Sequence, residues 1–479
     1  MLFNSIEFAF YFPIVCGLYF ALPQSARTWL LLVASCVFYM AFVPAYILIL
    51  AITIIIDYVA GIYLERVTGR SRTVLLVVSI VATCLVLLVF KYYAFFTGSF
   101  VGFATLFGWQ VTNPTLDIIL PIGLSFHTFQ SLSYVVEVYR GHQKAERDFP
   151  TYATYVMFFP QLVAGPIERP QNLLGQFREF HAFEYARVVS GLKRMAWGFF
   201  KKLVVADRLA VYVNDVYASP QSHNGLQLTI ATVFFAYQIY CDFSGYSDIA
   251  IGSARVLGFK LMENFDAPYH SRSVGEFWRR WHMSLSTWFR DYVYVPLGGS
   301  RVPPLRRARN ILVTFGISGL WHGANWTYVL WGLLNGLYLI AGWITQPIVA
   351  RIFGILRLKE EGFIRQAIMV LFTFFLTCAA WVLFRAQNLG DAWHIYTHWT
   401  HNWDWNSAIT ANFHLKHFPA AIAAVVALES IQFLGRRIPL GDKVTQLPTL
   451  VRWPAYIGFI FMVIMFGVYR SNQFIYFQF

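Results

Sequence analysis

Runs of about 20 apolar residues, separated by short polar stretches, recur along the 479-residue chain. Lipid offers the backbone no hydrogen bonds, so such runs predict transmembrane α-helices, whose backbone groups bond within the segment. The pattern predicts an all-α polytopic membrane protein of about eleven spans. The regular spans are expected at about 6–22, 28–43, 45–63, 73–98, 116–139, 226–257, 366–385, 418–434 and 453–470.

The region 150–215 departs from this pattern because Phe158–Gln161 and Ala164–Pro166 place helix breakers inside an apolar stretch. Non-helical backbone at membrane depth survives where protein or a water-filled cavity surrounds it. We therefore expect a re-entrant or buried segment that lines a cavity. An amphipathic helix near the cytoplasmic surface is expected to follow, since four basic residues recur there: Lys193, Arg194, Lys201 and Lys202.

Two further regions are irregular. The segment 259–309 is too aromatic for a disordered linker and too basic for lipid, which predicts short helices at the cytoplasmic interface. Its basic and aromatic residues are Arg272, Arg279, Arg280, Arg290, Arg301, Arg306, Arg307 and Arg309, with Trp278, Trp281 and Trp288. The segment 310–343 is too long and too interrupted for one simple helix, because Gly316, Gly319 and Gly323 surround His322.

Composition supports the membrane assignment. Hydrophobic residues make up 57% of the chain and charged residues 13%, with a mean hydropathy of +0.52. A soluble domain carries about 25% charged residues, so most of this surface faces lipid. The 19% aromatic content fits bilayer interfaces.

The net charge of +13 comes from basic residues in short stretches between apolar runs, which is typical of cytoplasmic loops. We place the loops at 65–72, 140–147 and 436–443 in the cytoplasm, and the N-terminus and the loops at 99–114 and 387–416 outside. The charge favours anionic membrane lipids or a phosphate-bearing ligand as partners, and no nucleic acid.

Neither cysteines nor the histidine-rich loop predict a metal site. The five cysteines show no CxxC spacing, and small buried thiols explain them better than disulfides. Five histidines near the exterior loop lack regular spacing and neighbouring cysteines, so we expect no metal there. These are His394, His398, His401, His414 and His417.

Walker, HExxH, GxSxG and Rossmann glycine patterns are absent from the sequence, which argues against an ATP-driven pump. Polar residues inside apolar segments are costly and are therefore candidates for function. His322 lies at the interruption of a span, between Gly319 and Asn325. Its imidazole suits removal of a proton from a hydroxyl that attacks a carbonyl. A histidine bonded to a neighbouring helix, with glycines serving helix packing, is the structural alternative.

His282 is a second candidate, among basic and aromatic residues at the predicted cytoplasmic mouth; an interfacial histidine is the alternative and is favoured by spacing alone. Around it, Arg279 and Arg280 suit a phosphate-rich ligand such as coenzyme A or a phosphopantetheine arm, and equally suit lipid head groups. Asp242 and Asp248 lie in or near a span, where they either line a polar tunnel or pair with arginines. His127 and Gln130 are intramembrane polar groups with the same ambiguity.

Several of these segments resemble the membrane-bound O-acyltransferase family, in its bacterial branch of alginate O-acetyltransferase membrane subunits and teichoic-acid D-alanylation proteins. The matching pieces are Leu320–Gly323 with Trp326, Trp278–Ser284, Pro121–Phe126, Phe159–Ile167, Asp242–Asp248 and Asn264–Phe265, together with the opening Met1 to Phe20. The resemblance implies one transmembrane domain over 1–479, with a catalytic core at about 120–340 around a central tunnel.

The resemblance also implies acyl transfer from a cytoplasmic thioester, through the tunnel, to an acceptor across the membrane. His322 takes the position of the family's general base, and His282 that of a group that positions the donor or stabilises charge. The expected donor- and tunnel-binding residues are Trp278, Arg279, Arg280, Trp281, Ser284, Asn264, Asp242, Ser244, Gln238 and Asn325.

The expected donor is acetyl-CoA, or an aminoacyl carrier protein for a D-alanylating member, and no cofactor is expected to stay bound. A separate periplasmic or surface protein and a polysaccharide acceptor are expected as partners, and the bacterial inner membrane as the location. Alginate-like O-acetylation is the first expectation and teichoic-acid D-alanylation the second. A transporter or flippase that moves an acylated substrate without chemistry stays open, although the sequence shows no internal repeat of the kind many transporters have.

Overall fold

The computed structural model describes residues 1–112, 121–405, 417–437, 440–469 and 474–475. Within these ranges the chain is helical, joined by turns and irregular segments, and contains no β-strand. The all-α prediction is confirmed.

The α-helices of seven or more residues follow one another along the chain. Their bounds are Ile6–Ala21, Gln24–Met40, Tyr46–Leu64, Gly69–Leu87, Tyr93–Leu106, Leu124–Arg140, Phe149–Met157, Tyr185–Phe199, Asp207–Ala218, Gly225–Leu257, Val274–Arg280, Met283–Phe289, Pro304–His322, Trp326–Ile355, Phe363–Arg385, Leu389–His398, His417–Arg437, Leu440–Gln446 and Thr449–Phe466. The described residues also include three wider π-helical turns, at Leu88–Tyr92, Phe200–Ala206 and Arg290–Tyr294.

In the described ranges, six helical stretches are long and apolar enough to cross a membrane, which shows a multi-pass membrane protein. They are Tyr46–Leu64, Gly69–Leu106, Trp326–Ile355, Phe363–Arg385, His417–Gly435 and Thr449–Phe466, with Ile6–Ala21 as a shorter apolar helix. Helices also lie in the described parts of the spans predicted at 28–43, 116–139 and 226–257, but they are shorter or more polar than the six. The number of eleven crossings stays a prediction.

The loop predicted at 99–114 begins later than expected. A 38-residue helical stretch continues through a π-helical turn as far as Leu106, because the mostly apolar residues at 99–106 contain no proline. At 1.5 Å per residue this stretch is about 57 Å long, nearly twice the hydrocarbon thickness of a bilayer. The helix therefore has to tilt strongly or extend beyond the lipid.

The described chain divides into two compact units. The first unit contains Met1–Met195 and Ser247–Met262, and the second contains Ala196–Tyr246 and Glu263–Phe479. The helix Gly225–Leu257 contributes residues to both. The prediction of a single domain stays a prediction.

Non-helical backbone is buried in the first unit where the sequence predicted it. The helix Phe149–Met157 ends before a run of turns at 159–164 whose residues are buried. The Phe159 N–H donates to Ser35 Oγ at 3.0 Å, which satisfies one backbone group of the broken segment. Gly123 has φ 78°, and a Cβ there would lie 3.0 Å from the Leu162 carbonyl oxygen, so this turn packs closely against the broken segment. Its role in lining a cavity stays a prediction.

The expected surface position of two lysines is wrong. Lys201 and Lys202 lie in the π-helical turn Phe200–Ala206 of the second unit, 4% and 7% exposed. Lys202 Nζ is 2.9 Å from Asp207 Oδ1 and 2.6 Å from Asp242 Oδ1. Two carboxylates thus compensate the buried ammonium group, which explains why this lysine is inside the protein.

Candidate functional site

His322 is the last residue of the helix Pro304–His322 and is 3% exposed. Its imidazole is surrounded by aromatic rings of the second unit. The ring-centroid distances are 4.9 Å to Trp321, 5.0 Å to Trp331 and 5.4 Å to Phe384. His322 thus lies at the C-terminal end of its helix, where the negative end of the helix dipole is.

The interruption predicted around His322 is confirmed, since the next helix starts at Trp326. A Cβ on Gly323 would lie 2.2 Å from the Tyr328 ring, so a larger residue there would require this ring to move. The Asn325 side chain caps the following helix, where its Oδ1 accepts from the Thr327 N–H at 3.0 Å. Its Nδ2 donates to the Gln387 carbonyl oxygen at 3.2 Å. Asn325 thus has a structural role beside the candidate base.

His282 is fully buried between the short helices Val274–Arg280 and Met283–Phe289. Its Nδ1 lies 3.0 Å from Asn264 Oδ1, and Ser284 Oγ donates to the same oxygen at 2.9 Å. The Phe243 ring meets the imidazole edge to face at 4.6 Å. Burial lowers the pKa of the His282 imidazole to about 3, so the ring is neutral at physiological pH.

Trp321 links the two candidate histidines. Its ring centroid lies 4.9 Å from that of His322 and 6.4 Å from that of His282. The two histidines therefore belong to one aromatic cluster of the second unit, although 40 positions separate them in the sequence.

Several buried polar atoms of the second unit have no hydrogen-bond partner among the described residues. The Trp278 Nε1–H donor and the Gln238 Oε1 acceptor are two of them. The Trp278 ring lies 5.7 Å from Trp331, which in turn packs on His322. An unsatisfied buried donor costs about 1–3 kcal/mol, so such an atom is a candidate contact for a ligand or water.

The arginines and Trp281 differ in their surroundings. Arg279 is exposed, whereas Arg280 is half-buried and pairs with Glu276 at 2.7 Å. Trp281 is 1% exposed and packs against Phe265 at 5.1 Å, inside the aromatic core. Binding of the donor by these residues stays a prediction, and the exposed Arg279 fits an anionic ligand best.

Three polar residues of the long helix Gly225–Leu257 have partners within their own units. In the second unit, Ser244 Oγ accepts from Lys201 Nζ at 2.9 Å. Asp242 pairs with Lys202 and accepts from the Ile475 N–H at 2.7 Å. In the first unit, Asp248 pairs with Arg194 at 2.9 Å, as the arginine alternative proposed. Whether Asp242 and Ser244 also line a tunnel stays a prediction.

His127 and Gln130 lie in the first unit, on the helix Leu124–Arg140. His127 is 2% exposed, and neither ring nitrogen has a hydrogen-bond partner within the described part of the chain. Gln130 Nε2 donates to the Tyr155 carbonyl oxygen at 2.5 Å, which is a structural contact.

The histidine-rich segment contains one close pair, His394 and His398, whose stacked rings have centroids 4.0 Å apart. His414 lies outside the described residues. Across those residues, no group of three histidine, cysteine, aspartate or glutamate side chains is placed to hold a metal ion.

The contacts of Lys202 and of Asn264 were not predicted from the sequence. The sequence does contain a signal for the lysine contact: Asp207, of opposite charge, lies five positions after Lys202 in an otherwise apolar stretch. The contact between Asn264 and His282 spans 18 positions and has no periodic signal.

The fold and the site define an all-α, multi-pass membrane protein with two buried histidines in one aromatic cluster. Residues 141–386 match the family model described as MBOAT, membrane-bound O-acyltransferase family. The chain belongs to this family, and it is an O-acyltransferase.

Three relatives illustrate the similarity. The chain is 38% identical to the probable alginate O-acetylase AlgI of Pseudomonas aeruginosa, over 83% of this chain and 74% of that protein. It is 33% identical to a peptidoglycan O-acetyltransferase of Helicobacter pylori, over 82% and 78%. It is 27% identical to a teichoic acid D-alanyltransferase of Bacillus subtilis, over 48% and 60%. These relatives support O-acyl transfer at the membrane and confirm the resemblance seen in the sequence.

Proposed function

We propose that this chain moves an acetyl group from a cytoplasmic thioester across the membrane toward a cell-surface polysaccharide, with His322 as the general base. The observation that carries the proposal is the position of His322. A proton-accepting side chain is buried at a break between two helices, at the negative end of a helix dipole, within an aromatic cluster.

The chemistry follows from the groups present. A hydroxyl oxygen attacks the thioester carbonyl carbon while a His322 nitrogen takes the hydroxyl proton. The resulting oxyanion collapses, the carbon–sulfur bond breaks, and the thiolate leaves and regains a proton. The Trp278 Nε1–H is a buried donor available to the carbonyl oxygen, whose negative charge grows during the attack.

The relatives favour acetyl over D-alanyl as the acyl group. Both relatives named for O-acetyl transfer exceed 30% identity over four fifths of this chain. The relative named for D-alanyl transfer is 27% identical over about half of it. An alginate-like polysaccharide is the first acceptor to test, because the relative at 38% identity is named for alginate.

The donor and partners are part of the proposal. The protein would lie in the bacterial inner membrane. Acetyl-CoA, or an acyl carrier protein, would approach the basic region that contains Arg279 from the cytoplasmic side. An exterior protein would then complete the transfer to the polysaccharide. Interspersed aromatic and basic residues in 259–309 support binding of a phosphate-bearing donor.

The test uses the full chain in nanodiscs with radiolabelled acetyl-CoA, an alginate oligosaccharide and membrane extract as a source of the exterior partner. We expect label transfer by the wild type and a loss of about 100-fold or more in His322→Gln, since general-base catalysis contributes this much. Thermal unfolding of both proteins verifies that the variant folds.

A matched control is His398→Gln, which changes an exposed histidine of the stacked pair and should leave turnover unchanged. Full turnover by folded His322→Gln would contradict the base assignment. Transfer of D-alanine from a carrier protein, without transfer of acetyl from either donor, would replace acetylation by the D-alanylating alternative.

A further inference from the structure

The orientation of the Asn264 carboxamide is fixed by its neighbours. The Ser284 backbone N–H lies 3.3 Å from the same Asn264 atom that Ser284 Oγ contacts at 2.9 Å. A backbone N–H can only donate, so this atom accepts and is the oxygen Oδ1, not the amide nitrogen.

This orientation decides which nitrogen of His282 carries hydrogen. Asn264 Oδ1 has no hydrogen to give, so His282 Nδ1, at 3.0 Å, is the donor of their bond. A neutral imidazole carries one N–H, and the lone pair then lies on Nε2.

Asn264 also contacts the backbone next to His282, which has an unusual conformation. His282 has φ 42° and ψ 55°, a left-handed backbone conformation that residues other than glycine rarely adopt. Such strain persists where the surroundings fix it, and it is frequent at functional sites. The Asn264 carbonyl oxygen accepts from the Met283 N–H at 2.9 Å, so Asn264 anchors both the backbone and the ring.

We propose that Asn264 is a positioning residue, which holds neutral His282 in the Nδ1–H form so that Nε2 accepts a hydrogen bond from a substrate. This inference rests on the proposed function. It excludes for neutral His282 the role of donor to an oxyanion, because Nε2 presents a lone pair. The substrate group is an N–H or O–H, supplied by the amide of the donor arm or by the acceptor hydroxyl.

The tautomer can be read without turnover. Selective ¹³C and ¹⁵N labelling of histidine in nanodiscs, with His282→Gln identifying the signal by its disappearance, distinguishes Nδ1–H from Nε2–H. We expect Nδ1–H in the wild type and a mixture or the other form in Asn264→Leu, which keeps the size but removes the acceptor. Nε2–H in the wild type would overturn the proposal.

Kinetics with acetyl-CoA test the consequence. Asn264→Leu should lower kcat/KM about tenfold or more, the lower end of what a positioned proton-accepting group supplies. If only the KM for acetyl-CoA rises, the group that donates the hydrogen bond to Nε2 belongs to the donor arm. If kcat falls, that group is the acceptor hydroxyl. An unchanged kcat/KM would refute the role.

Asn310→Leu is the matched control. Asn310 is equally buried in the second unit, but its Nδ2 donates to the backbone carbonyls of Leu297 and Gly299. We expect it to lower thermal stability while leaving the His282 tautomer and the turnover of the folded fraction unchanged. Absence of turnover in the wild type with either acyl group would contradict the proposed function and leave the tautomer measurement intact.

Discussion

At the residue scale, single atoms of the aromatic cluster can be tested separately from its packing. Trp278→Phe removes the Nε1–H, which has no partner among the described residues, but keeps an aromatic ring. If this donor binds the carbonyl oxygen, kcat should fall about 100-fold, a loss typical for one donor to an oxyanion. Initial rates with acetyl-CoA give the comparison.

Trp381→Phe is the control for that experiment. Its indole N–H already donates to Tyr269 Oη at 3.2 Å, so the substitution breaks a structural bond in the same core. We expect reduced stability with little change in kcat of the folded fraction. Equal losses of kcat in the two variants would contradict a special role for Trp278.

The buried charges of the second unit give a second residue-scale prediction. Lys202→Met would leave Asp207 and Asp242 buried without their shared cation. Removing one partner from a buried ion pair costs about 3–5 kcal/mol, so we expect a markedly lower Tm in detergent.

The comparison is Arg147→Met, since Arg147 pairs with Glu65 in an exposed position. Exposed pairs contribute about 0–1 kcal/mol, so its Tm should stay near that of the wild type. A wild-type Tm for Lys202→Met would show that the triad of charges adds no stability.

At the element scale, the helices Pro304–His322 and Trp326–Ile355 meet through glycines. A Cβ on Gly319 would lie 2.2 Å from the Tyr328 carbonyl oxygen, and one on Gly332 would lie 2.2 Å from that of Phe315. Close approach of backbones is how membrane helices associate through small residues. This contact holds His322, three positions after Gly319, against the following helix.

Gly319→Ala should therefore separate the two helices. We expect a loss of about 1–3 kcal/mol from overpacking and a fall in turnover, measured by thermal unfolding and by acetyl transfer. Gly342→Ala, in the same second helix with open space around it, should be neutral or slightly stabilising. Equal stability of both variants would contradict the close packing.

The sequence predicted elements better than contacts. Apolar runs located Ile6–Ala21, Tyr46–Leu64 and Phe363–Arg385 to within three residues, because lipid enforces helix on such runs. Glycines around His322 predicted the break that follows it. The π-helical turn Phe200–Ala206 was not predictable, since its residue pattern does not differ from that of an α-helix.

For the candidate site, too, the sequence predicted the residues better than their contacts. His322 and His282 were identified as costly polar residues, and their packing on Trp321 agrees with a common site. The bond between Asn264 and His282 depends on how two distant segments meet, which no local periodicity encodes. The sequence placed Lys202 at the surface because a lysine is normally solvated, and its two carboxylate partners reverse that preference.

At the scale of the whole molecule, the distribution of charge predicts orientation. Cysteines introduced at exposed Arg70, near the start of the 38-residue helical stretch, and at exposed Trp109, just beyond its end, should label differently in intact cells. An impermeant thiol reagent should modify Trp109→Cys from outside, and Arg70→Cys only after permeabilisation. The reverse result would invert the topology and with it the cytoplasmic position of the donor. The unsubstituted chain controls for the five natural cysteines.

The division of the chain into units has a consequence for synthesis. Three contacts of the first unit involve Asp248, Gly252 and Met262, on a segment that leaves the ribosome after the second unit has begun. The 54 residues from 195 to 248 take about 3–11 s to translate at 5–20 residues per second. During that time Arg194 lies at or in the bilayer before its partner Asp248 has been synthesised. The membrane insertion machinery, or lipid phosphate, has to accommodate its charge until the late segment arrives.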